Sequence, residues 1–218
     1  MTPGRYRDGA RRVAPIGIAA FAFGASYGVL AQTSGFGSVE AIVMSATTFA
    51  GASQFAAASV LDEGGGVVAA VAAAVLLNAR YAAIGIAVAP SFKGSPLRRF
   101  VEAQLIVDES WAVAQVGHGR INRRVLVGAG LVLFPFWVGG TALGVLFGDV
   151  LGDPERFGLD AAFPALFLAL LATQLVNRRT VLAAVAGGVI AFVLIPVAPP
   201  GVPVIAASAV CLAGLLRR

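Results

Sequence analysis

The sequence predicts an all-α, polytopic membrane protein with six to eight membrane segments, folded as one domain over residues 1–218. Three observations carry this. The 218 residues are 58% hydrophobic and only 12% charged, about half the charged fraction of a soluble domain. Their mean hydropathy is +0.87. Apolar runs, several of them long enough to cross a bilayer (roughly 20 residues), recur near 13–31, 39–61, 67–89, 100–117, 125–148, 161–176, 180–196 and 202–216. None alternates in polarity as barrel strands do, so helices are expected.

The first run follows "MTPGRYRDGARR" and imitates a signal peptide, with Val29-Leu30-Ala31 as a mock cleavage site. Its 19 residues, Val13 to Ala31, exceed a typical signal core, so it reads as a retained span. The breaks between runs, such as "TSGFG", "DEGGG" and "PSFKGSP", are too short for interdomain linkers. Eight simple crossings place Lys93, Arg98 and Arg99 outside and Asp62-Glu63 inside, against the preference of basic loops for the cytoplasm. If 39–61 and 100–117 instead enter and return to the same side, six crossings remain. Of the 16 basic residues, only Arg156 then lies outside and Arg80 lies within the bilayer. Two re-entrant or broken segments are therefore expected.

A weak internal repeat pairs "YGVLAQTSGFGSVEA" (27–41) with "LGVLFGDVLGDPERFGLDA" (143–161). Glu40 and Asp160 are followed by Gln54 and Gln174 at the same interval. Duplicated halves around a midplane site are common in transporters, and chance similarity among Gly/Ala/Leu-rich spans is the other reading.

Polar groups inside the apolar runs point to the site. Arg80 sits within 67–89, where a charge costs a few kcal/mol or more unless paired or hydrated. Asn78 lies two positions away and points elsewhere on an unbroken helix. Either the helix is interrupted there, or Asn78 bonds a neighbouring helix while Arg80 faces a cavity. The segment 100–117 supplies opposite charge: Gln104, Asp108, Trp111 and Gln115 follow one helical stripe, with Glu102 and Glu109 on an adjacent face. It reads as an ammonium site or proton relay through Asp108, Glu109 and Glu102, or as an amphipathic interfacial helix. In "SATTFAGASQFAAAS" (45–59), Thr47, Gly51 and Gln54 share a face. Close helix packing explains the small residues. A break near Gly51-Ala52-Ser53 is the alternative, freeing backbone N–H groups for a carboxylate.

Other classes are excluded on specific grounds. The net charge of +5 is spread through short loops, so nucleic acid is not a partner. One His and one Cys make a metal site improbable, and no cofactor motif is present. "GASYG" (24–28) matches the serine-hydrolase pattern but lies inside an apolar helix without a histidine partner. No Walker A motif supports ATP-driven pumping, and no enzyme is expected.

Four stretches together resemble the AzlC family of bacterial branched-chain amino-acid permeases: "FAGASQFAA" (49–57), "LLNARYAAIGIAVAP" (76–90), "VDESWAVA" (107–114) and "GLDAAFPALFLALL" (158–171). Tyr81 stands where that family has histidine after Asn-x-Arg, and Val107 where threonine precedes Asp-Glu. The resemblance implies export of a hydrophobic amino acid across the bacterial inner membrane, with a small membrane partner of the AzlD type. The six-crossing charge pattern places both termini in the cytoplasm. The residues themselves nominate Arg80, Asp108, Glu109, Asn78, Gln54 and Ser53 as substrate ligands. A channel or exporter for another small solute, or a non-transporting scaffold subunit, are the alternatives.

Overall fold

The computed structural model describes residues 4–116, 120–151, 168, 171–172, 175, 177–198, 202–203 and 206–207. The runs at 161–176 and 202–216 fall mostly outside these residues. So do the second copy of the repeat beyond residue 151, His118, Gln174 and Cys211. The described residues are helical: α1 (Tyr6–Thr33), α2 (Ser38–Thr48), α3 (Gly51–Asp62), α4 (Val67–Asn78), α5 (Arg80–Val88), α6 (Pro96–Ala103), α7 (Asp108–Ala114), α8 (Arg123–Leu151) and α9 (Arg178–Leu194). Three stretches among them are long and apolar enough to cross a bilayer: α1, the α4–α5 stretch Val67–Ser91, and α8.

Helices α1 and α8 form the spine of the protein. Gly9 faces Val125, Gly24 faces Trp137 and Gly28 faces Thr141 and Val145, so the two run in parallel. Two parallel spans begin at the same end of the molecule. The chain between them must therefore cross back once, and α4–α5 does so.

Four further helices, α2, α3, α6 and α7, form two broken pairs. Gln32 at the end of α1 bonds Ser38 at the start of α2 (3.3 Å), and Ser34 Oγ lies 3.5 Å from Asp62 Oδ1 at the end of α3. Thus α2 enters and α3 leaves by the same end. The turn between them is Phe49-Ala50, two residues before the expected position. Phe49 adopts a left-handed backbone (φ 44°), a cost of about 1–2 kcal/mol for a non-glycine residue. Burial of its ring edge-on against Phe134, centroids 5.1 Å apart, holds it there. Thr47 therefore does not share a helical face with Gln54: the turn separates them.

The second pair enters from the opposite end. Glu102 in α6 is clamped by Arg98 and by Arg123 at the start of α8. At the far side of the pair, the Ala114 carbonyl accepts the Asn122 amide (2.9 Å), and Arg12 of α1 donates to the Val113 carbonyl (2.9 Å). Here α6 and α7 are separate helices, which corrects the single polar stripe expected over 100–117. Ser110 breaks the run: its hydroxyl accepts the Val107 amide (2.9 Å) and bonds the Leu105 carbonyl (2.9 Å), folding the chain back. Leu105, Val107 and Ala114 are core residues, so α7 packs inside the protein, whereas α6 keeps Leu97, Phe100 and Val101 exposed and remains amphipathic.

The tips of the two pairs meet where the Gln104 amide donates to the Thr47 carbonyl. A span followed by a broken pair (α1 then α2–α3) is repeated with opposite direction (α4–α5 then α6–α7). Such inverted units place sites at the midplane, where helices are discontinuous. Charges divide accordingly. Arg5, Arg7, Arg11, Arg12, Lys93, Arg98, Arg99, Arg120, Arg123 and Arg124 gather at the end where α1 and α8 begin; Glu40, Asp62 and Glu63 lie at the other.

Candidate functional site

Arg80 stands near the centre of the 25-residue stretch Val67–Ser91. The stretch is interrupted beside it: α4 stops at Asn78 and α5 starts at Arg80. The two polar side chains point different ways, as their two-residue spacing requires. Arg80 and Tyr81 turn into a cavity, with the guanidinium carbon 5.2 Å from the Tyr81 ring centre. Asn78 lines a different, wider groove between α2 and α4, and its side-chain oxygen has no hydrogen-bond partner among the described residues.

The cavity is about 90 Å³, room for roughly three waters at ~30 Å³ each. One wall is charged. Arg80 Nη2 lies 2.8 Å from Asp108 Oδ2, with Arg80 34% and Asp108 27% exposed at the side chain. Glu109 lines the same wall. Both carboxylates occupy the first turn of α7, the end of a helix that favours negative charge. The guanidinium is not saturated, since its Nε is buried without a partner among the described residues. The remaining walls are apolar: Ile16, Ala19, Ala20 and Phe23 from α1, Phe49, Gly51 and Ala52 from the turn, and Leu133 and Trp137 from α8.

Behind the turn lies a buried polar chain. The Gln54 carbonyl oxygen accepts from Trp137 Nε1 (3.1 Å) and from the Ala50 amide (3.2 Å). Its amide nitrogen donates to Ser45 (2.8 Å), which is bonded to Thr141 (2.8 Å). Every member is satisfied, the condition under which a buried network rigidifies a site. Ser53 donates to the Ala50 carbonyl (2.8 Å) and closes the first turn of α3.

The structure thus brings Arg80, Asp108 and Glu109 together. Gln54 and Ser53 stand behind the cavity wall, Asn78 faces away from it, and Glu102 is spent on Arg98 and Arg123 at the basic end. The apolar wall residues were missed from sequence, among them the aromatic side chains Phe23, Phe49 and Trp137. Trp137 carried a usable signal, since membrane tryptophans favour the interfaces and this one lies mid-helix.

Parallel spans, two broken pairs meeting between them and an ion pair in a small central cavity define a helical membrane transport protein. The chain belongs to the AzlC family: the family described as "AzlC protein" matches residues 15–151. An uncharacterised membrane protein of Archaeoglobus fulgidus is 37% identical over 190 residues, 85% of this chain and 83% of the relative. The branched-chain amino acid transport protein AzlC of Bacillus subtilis is 27% identical over 178 residues, 78% of this chain and 68% of the relative. The inner membrane protein YgaZ of Escherichia coli is 27% identical over 210 residues, 88% and 84% of the two chains. No solved structure matches the chain.

Proposed function

We propose that the protein exports branched-chain or other hydrophobic amino acids across the bacterial cytoplasmic membrane, together with a small AzlD-type membrane subunit. The observation that carries the reading is the Arg80–Asp108 pair, at 2.8 Å, in the wall of an otherwise apolar mid-span cavity. A zwitterion presents the same two charges in reverse. Its carboxylate takes Arg80, which suits bidentate binding, and its ammonium takes Asp108 or Glu109. Each half-buried charge exchanges one partner for another and none is stranded, which avoids the cost of leaving a partly desolvated charge unpaired. The start of α3 adds backbone N–H groups to the carboxylate end. The name of the Bacillus subtilis relative supports the substrate class.

The cavity as it stands is smaller than a branched-chain amino acid, so entry requires one of the broken pairs to move. Inverted units supply two such movements, one toward each end. The basic end faces the cytoplasm in this reading. A single cysteine at Gly64 in a Cys211→Ser background is then labelled from outside intact cells, and one at Lys93 only after permeabilisation. The reverse pattern overturns the orientation.

Cells loaded with labelled valine and leucine, expressing the protein with and without the small partner, test the function. Saturable efflux with counter-flow is expected. Flux without exchange indicates a channel, and absence of flux for every small solute tried leaves the scaffold role. Collapse of the pH gradient in the same assay tests proton coupling through Asp108 and Glu109, and loss of uphill efflux is expected.

A further inference from the structure

We infer that Trp137 sets the length of side chain the cavity accepts, and that Gly51 and Gln54 hold its ring in place to do so. The inference rests on the reading that the cavity binds an amino acid. With the polar end of the substrate fixed by Arg80, Asp108 and Glu109, the side chain must extend along the apolar walls. Trp137 is the largest residue in those walls.

Its ring has no freedom to retreat. The indole N–H donates to Gln54 (3.1 Å), whose own amide is committed to Ser45 (2.8 Å). Tyr27 stacks against the ring, centroids 6.3 Å apart and planes 19° from parallel. On the remaining side Gly51 leaves space for the ring and nothing more: a Cβ there meets Trp137 Cη2 at 2.8 Å and Cζ2 and Cζ3 at 3.3 Å. The ring is therefore a fixed stop, anchored to the α2–α3 turn. Gly51 is glycine for Trp137, not for its backbone, which is the ordinary first turn of α3.

The stop can be moved in both directions. Trp137→Leu shortens it, so phenylalanine and methionine should gain against valine by at least about tenfold in efflux, the scale of pocket discrimination for a methylene or more. Gly51→Ala adds a methyl group to the cavity wall against the ring, so leucine should lose against alanine by a similar factor. Gln54→Met releases the indole and should broaden selectivity less than Trp137→Leu, while Trp137→Phe, which keeps an aromatic wall, should fall between wild type and Trp137→Leu. Opposite shifts from two sides of one ring are not the signature of a general packing defect.

Competition among labelled alanine, valine, leucine, methionine and phenylalanine in one efflux assay reads all of these, normalised to purified protein from the same membranes. If Trp137→Leu, Trp137→Phe and Gly51→Ala all keep the wild-type ranking, the inference is overturned. If wild type itself exports no apolar amino acid, the proposed function fails and the inference falls with it, so the wild-type arm separates the two failures.

Discussion

Arg80→Gln is expected to lose substrate recognition by roughly thirty- to hundredfold while the protein still reaches the membrane. Truncating one partner of a buried charge pair costs about 2–5 kcal/mol. Arg80 keeps 34% of its side chain open, so the lower part of that range applies, about 2–3 kcal/mol, and each 1.4 kcal/mol is tenfold. Part of that loss is structural, because Asp108 is left without its counter-charge. The double variant Arg80→Gln/Asp108→Asn separates the two parts. It removes both charges, strands neither, and should recover the thermal stability of the detergent-solubilised protein. It should not recover efflux, because neither end of a zwitterion is then held. Arg80→Lys keeps the charge but not the fork, and should transport measurably above Arg80→Gln. Normal efflux by Arg80→Gln, or restoration of efflux in the double variant, would show the pair to be a packing device and no binding site.

Arg80 could be picked out from sequence because a guanidinium in an apolar run violates the largest energetic preference in a membrane. Its partner was legible for the same reason, since the segment 100–117 carries three carboxylates in an otherwise mainly apolar run. Charge also pointed to the two returns: the described basic residues up to Arg124, apart from Arg80, gather at one end only if 39–61 and 100–117 return, and the structure turns both of them back. What failed was local periodicity. The stripe of Gln104, Asp108, Trp111 and Gln115 assumed one helix, whereas Ser110 captures Val107 and Leu105 and starts a new one. In 45–59 the small residues suggest either close packing or a break near Gly51-Ala52-Ser53. The break falls on Phe49, which no propensity favours, and tertiary packing against Phe134 maintains it. Gln54 was chosen as a ligand for being polar in a span. It serves the wall instead, through Trp137, and only three-dimensional neighbours reveal that.

Gly140→Leu is expected to prevent the protein from accumulating in folded form, and Gly140→Ala to cost about 1–3 kcal/mol, the usual penalty of overpacking. The stretch "GASYG" (24–28) in α1 has the small-xxx-small spacing of close helix packing in membranes. Across from it in α8 runs a second such stretch, Gly140 to Gly144. A Cβ on Gly140 collides with the Phe21 carbonyl, and one on Gly144 with the Ala25 carbonyl. Backbone cannot yield as a side-chain tip can, so α1 and α8 must separate. Separation reaches the site directly, because Trp137 and Thr141 lie one turn or less from Gly140 and anchor Gln54 and Ser45. Gly139 provides the control, since a Cβ there meets only Phe21 Cε2 at 3.8 Å, an ordinary contact. Gly139→Ala should therefore be neutral or gain the ~1 kcal/mol or less by which alanine exceeds glycine in helix propensity. Thermal unfolding of the three variants in detergent, read beside leucine efflux, distinguishes the cases. Equal behaviour of Gly139→Ala and Gly140→Ala would mean that α1 and α8 are not in backbone contact. The parallel spine that forces both broken pairs to return would then lose its basis.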